Sequence, residues 1–151
     1  MNHSTLLHDA KDLSLEAPRS PRVRIHGYVL MARMIDKGRA TINGSAGEYH
    51  FDCPVDNMLF GFKGLAGAEV RQVLASGASD EEIAAWIDAH GEPRSASAIQ
   101  SWSDAAEAFT YFGDPDKGAW FEGECKRLRL DPRHATLFDY LEADDRASFA
   151  K

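Results

Sequence analysis

The chain has 151 residues, a net charge of −7, 44% hydrophobic and 27% charged residues. That length and composition suit one domain with a core of its own, with no disulfide or metal staple required. The acidic balance argues against nucleic-acid binding, and no stretch approaches the roughly 18 apolar residues of a membrane span.

Residues 1–17 read as a polar leader. They lack the basic start and long apolar core of a signal peptide, and the pair Leu13/Leu15 would clip onto the core. The two cysteines, Cys53 and Cys125, do not make a secreted disulfide framework, so the cytoplasm is the expected compartment. Residues 18–151 are expected to form a single helical domain. Pro18 and Pro21 hold the chain extended at its start. Charge is uneven along the sequence: residues 18–40 carry six basic side chains against Asp36 alone, while residues 41–151 carry ten basic and twenty acidic ones. The basic block either pairs with the acidic remainder or forms a local anion site.

Leu30/Met34 and Met31/Ile35 predict a helix over 28–40, weakened near its end by Gly38. Arg33, Asp36 and Lys37 share another face of it. Residues 48–53 read as extended or irregular. Pro54 opens a short helix to about Phe60, a fitting place for proline. A helix over 67–76 follows. Ser79 and Glu82 form a capping box that starts a helix to about His90. Ser95 or Ser97 begins a longer one to about Phe112, with Ile99, Trp102, Ala106 and Phe109 inward. Asp114-Pro115 opens a helix to about Leu130, with Trp120, Phe121, Cys125 and Leu128 inward. Thr136 caps a short segment LFDYLE, and Asp144 a last turn to Phe149. The fold class is therefore all-α, an irregular orthogonal bundle of about six or seven short helices.

The segments RMIDKGRA (33–40) and GEYHFDCPVDNMLF (47–60), with PRSP before them and GASDEEIAAWI and TLFDYLEADD after, resemble a bacterial family, the domain of unknown function 5069. The resemblance spans roughly residues 12–145. It implies a small, stand-alone, helical protein and no particular reaction. The chain departs from the family pattern at Gly38, Phe51 and Leu137, where Ala, Tyr and Trp are expected. The change at Leu137 would alter a groove near the C-terminus.

The densest set of chemical side chains lies in Gly27–Asp56, and three functions compete for it. In the first, a small anionic metabolite binds where the 28–40 helix meets the 48–56 segment. Arg33 and Lys37 hold the anion, Asp36 orients them, and Glu48 and His50 complete the ligand site. His50 is the proton partner, since imidazole titrates near neutrality. Cys53, just before a helix, is the second catalytic candidate, because a helix N-terminus favours a thiolate. The bland fates of these two are an imidazole hydrogen-bonded within the fold and a small buried apolar residue. In the second, Glu48, His50 and Asp52 ligate a metal. No further His motif supports it, and the preferred reading has no metal and no identified cofactor. In the third, the chain is a non-catalytic interaction or scaffolding protein, a homodimer among its forms. There the tryptophans anchor a partner and the charged residues only build the fold. Phosphate-loop, GxGxxG, GxSxG and CxxC signatures are absent.

Overall fold

The computed structural model describes residues 6–150. Among them the chain forms seven α-helices and no strand: α1 (Met31–Asn43), α2 (Asp56–Lys63), α3 (Gly67–Ala75), α4 (Asp80–Ala89), α5 (Ala96–Ala108), α6 (Gly118–Arg127) and α7 (Leu137–Phe149). It is an all-α bundle. No helix among the described residues is long and apolar enough to cross a membrane.

The bundle is built on α1, every residue of which from Met31 to Ala40 is buried. The helix starts at Met31 rather than Tyr28 because the chain turns sharply first. His26 and Gly27 take positive φ, and Ile25 and Tyr28 exchange backbone hydrogen bonds across the turn. Leu30 then sits left-handed at φ 72°, a conformation that costs a β-carbon residue on the order of 1–3 kcal/mol. Its N–H bond to the Pro21 carbonyl, 2.9 Å, and its burial hold it there. This pivot divides the core. Tyr28 and Met31 join Met34, Ile35, Leu74, Ile83 and Ile87, whereas Val29 and Leu30 join Phe121, Cys125, Leu137 and Phe138. Accordingly α3 and α4 pack on α1 and on each other, and α5 packs on α7.

A helix buried on all sides must find partners for its polar residues. Every cation of the basic block meets a carboxylate. Arg19 pairs with Asp36 and Asp80, Arg22 with Asp139 and Glu142, and Arg24 with Asp104 and Glu107. Arg33 pairs with Asp145, Lys37 with Asp56, and Arg39 with Asp80. The basic block is thus the seam along which the acidic helices attach.

Several boundaries differ from the pattern. Gly38 lies mid-helix, because α1 runs on to Asn43. The second helix begins at Asp56, with Pro54 in the turn before it, and runs through Gly61 to stop at Gly64. The fifth helix ends at Ala108: the Thr110 hydroxyl donates to the Ala135 carbonyl and accepts from the Phe112 N–H, drawing the backbone out of the helix. Phe109 is consequently exposed. Asp114 caps a turn rather than a helix, accepting from the N–H groups of Asp116 and Lys117, so α6 starts at Gly118 and Trp120 faces outward, half exposed. Residues 137–149 are one continuous helix; Asp144 does not cap a separate turn but pairs with Arg127. In the leader Leu13 is buried and Leu15 exposed, and Leu7 and Asn43 exchange two hydrogen bonds. Residues 1–5 of that leader lie outside the described residues.

Candidate functional site

The segment between α1 and α2 is irregular, with turns at both ends, and it lies against the C-terminal half of α7. Between these parts opens a cavity of about 430 Å³, within the size range of small-molecule pockets. Arg33 and Lys37 of α1, and Glu48, Tyr49, His50 and Cys53 of the segment, all line it. Leu13, Val55, Leu141 and Phe149 supply apolar wall, and Asp144 and Ser148 of α7 complete it.

The two cations are buried and already engaged. Arg33 forms a bidentate pair with Asp145, 2.7 and 3.0 Å, and its guanidinium lies 5.5 Å above the Tyr49 ring. The Tyr49 hydroxyl donates to the same carboxylate at 2.8 Å. Burial, and then that carboxylate, push the Tyr49 phenol well above its ordinary value, so it stays a donor. Nη1 also donates to the Arg19 carbonyl at 3.4 Å, so two of the five guanidinium N–H groups, Nε–H and one on Nη2, are left without a partner among the described residues. Arg33 Nε–H makes no hydrogen bond among the described residues, yet no buried side-chain nitrogen or oxygen there lacks a partner. Nε is therefore not sealed off from solvent, and Arg33 is among the residues that line the cavity.

Lys37 is 2.9 Å from Asp56, itself buried, and donates to Cys53 Sγ at 3.2 Å. Two of the three ammonium donors are thereby used. The Asp56 N–H, at the first residue of α2, also points at Sγ from 3.5 Å. Glu48 and His50 are exposed at the rim, and neither side chain makes a hydrogen bond among the described residues.

Two of the residues singled out in the sequence lie elsewhere. Asp36 turns away from the cavity to the Arg19 side chain and backbone N–H. Asp52 adopts φ 63°, so it does not continue an alternation with Glu48 and His50; its carboxylate accepts from Asn57 instead. Among the described residues no group of three or more His, Cys, Asp and Glu side chains is placed to hold a metal ion. The tryptophans spread over the molecule: Trp102 stacks on Phe62, Trp86 on His90, and Trp120 stands at the surface.

Tyr49, Asp145 and the α7 wall escaped the sequence reading. Leu141, Asp145 and Ser148 recur at i, i+4 and i+7, one helix face. Ending that helix at Glu142 hid the pattern.

The family model of the domain of unknown function DUF5069 matches residues 15–147, and the chain belongs to that family. No curated protein matches it.

Proposed function

We propose that this DUF5069 chain binds a small molecule that carries an anionic or strongly accepting group, in the cavity between α1, the 48–56 segment and α7. The observation that carries this reading is a ligand-sized cavity lined by a buried arginine that keeps N–H donors without partners among the described residues. Lys37 adds a third ammonium donor beside it. Because Asp145 and Asp56 already neutralise both cations, the floor offers hydrogen bonds more than net charge. That favours one carboxylate over a polyphosphate. The apolar wall takes the body of the ligand, and His50 at the rim meets its outer end. A reducing compartment such as the cytoplasm suits the two free thiols.

The test is a thermal-shift and NMR titration against small alkyl and aryl carboxylates. A ligand at about 100 times its Kd stabilises by about 2.7 kcal/mol. His50→Ala should weaken binding while leaving the unliganded Tm nearly unchanged, since an exposed side chain with no hydrogen bond among the described residues contributes within about 0.5 kcal/mol. Ser148→Trp should fill the mouth and abolish binding. Equal shifts in wild type and Ser148→Trp, or none with any carboxylate, would overturn the proposal.

A further inference from the structure

We infer that Cys53 is the covalent nucleophile of this cavity and captures small carboxylates that carry an electrophilic carbon. The inference rests on the carboxylate-binding reading of the same site and adds the chemistry that follows binding.

Three observations meet at Cys53. Cys53 lines the cavity and is only partly buried. The polar groups on its sulfur among the described residues, Lys37 Nζ and the Asp56 N–H, are donors without acceptor capacity, so the sulfur is held as an acceptor. Arg33, its side chain only 5% exposed, lines the same cavity with N–H donors to spare, so a carboxylate bound to it lies in one cavity with Cys53. The second cysteine lacks all of this. Cys125 is fully buried in the core, and burial pushes its thiol up. One chain thus holds a thiol arranged for reaction and an inert one for comparison.

Iodoacetate probes the step directly, since it joins a carboxylate to an electrophilic carbon. The sulfur–carbon bond forms as the carbon–iodine bond breaks; iodide leaves with the bonding pair, and the thiol proton passes to water. Iodoacetamide presents the same carbon without the charge. Rates at Cys53 and Cys125 of the full chain would be followed by intact and peptide mass spectrometry, with glutathione as the free-thiol reference. Cys53 should react about tenfold or more faster than glutathione, and Cys125 negligibly. The iodoacetate-to-iodoacetamide ratio at Cys53 should exceed that of glutathione by about tenfold, the size of one charge-assisted hydrogen bond. Ser148→Trp should remove that advantage. If carboxylates bind reversibly but Cys53 reacts no faster than glutathione, the nucleophile is refuted and the pocket stands. If Cys53 is fast but shows no preference for iodoacetate, and carboxylates shift no melting curve, both readings fall.

Discussion

Arg33 shows how the site and the fold share residues. Its bidentate pair with Asp145 is almost wholly buried, and such a pair is stabilising mainly in the sense that halving it is ruinous. Arg33→Met should destabilise by about 3–5 kcal/mol, because it strands a buried carboxylate. Asp145→Asn should do nearly as much, although an asparagine can still accept from Tyr49. The double variant should lose far less than the sum of the two, as contacting residues do. Urea denaturation of all four proteins checks this, and simple additivity would show that the two charges do not depend on each other. The same pair explains what could be read from the residues alone. Arg33, Lys37, Glu48, His50 and Cys53 lie within one short stretch, and all five reach one cavity. The carboxylate that engages Arg33 lies 112 positions away, and no local pattern points to it. An unopposed cluster of cations in the sequence is therefore a neutralised, hydrogen-bonding floor in the fold.

At the scale of elements, hydrophobic spacing located the helices, and local hydrogen bonding decided their ends. The Ser79/Glu82 box marks the start of α4 in both sequence and structure. The early end of α5 depends on the Thr110 hydroxyl reaching Ala135, a contact between segments that periodicity does not encode. Gly38 is the sharper case. Helix propensity alone says alanine would stabilise α1 by about 1 kcal/mol. A methyl group there, however, would lie 2.4 Å from Leu74 Cδ1 and 3.1 Å from the Phe51 ring. Leu74 is fully buried, so it has little room to yield, and overpacking of this kind costs about 1–3 kcal/mol. Gly38→Ala should therefore lower Tm by roughly 2–4 °C, equivalent to about 1 kcal/mol in a chain of this size. In a Leu74→Val background, where the facing methyl is withdrawn, the same change should raise Tm. A rise in the wild-type background would show that α1 and α3 separate freely and that close approach is not why glycine stands there.

Across the whole molecule, the strap of residues 18–30 and α1 are tied to α2, α4, α5 and α7 by ion pairs, and pH should act on the fold through those ties. Two groups set opposite limits. His26 places both ring nitrogens 2.6 Å from carboxylates, Asp88 on one side and Glu81 on the other. Its hydrogen bond to Asp88, then that to Glu81 and both charges, outweigh desolvation and raise its pKa above the ordinary 6.5. The stabilisation is then complete below about pH 6.5 and disappears as pH rises through the raised folded value. Asp80 behaves in the opposite sense. Burial works against its charge, but the hydrogen bonds and charges of Arg19 and Arg39 prevail and hold it below 3.8. Its contribution is complete above that value and is lost as pH falls through the depressed one. Stability should therefore be greatest between about pH 4 and 6.5. The basic limb is the one to dissect. His26→Asn keeps a residue tolerant of positive φ but cannot carry charge. The Tm difference between wild type and this variant should be a few degrees near pH 5.5, the modest size of a partly solvated pair, and should shrink towards zero by pH 9. Raising the salt concentration should narrow it at the lower pH alone. A difference that stays constant from pH 5.5 to 9 would mean that His26 holds the strap to α4 by shape and neutral hydrogen bonding, and that the ion pairs of this seam do not set its pH response.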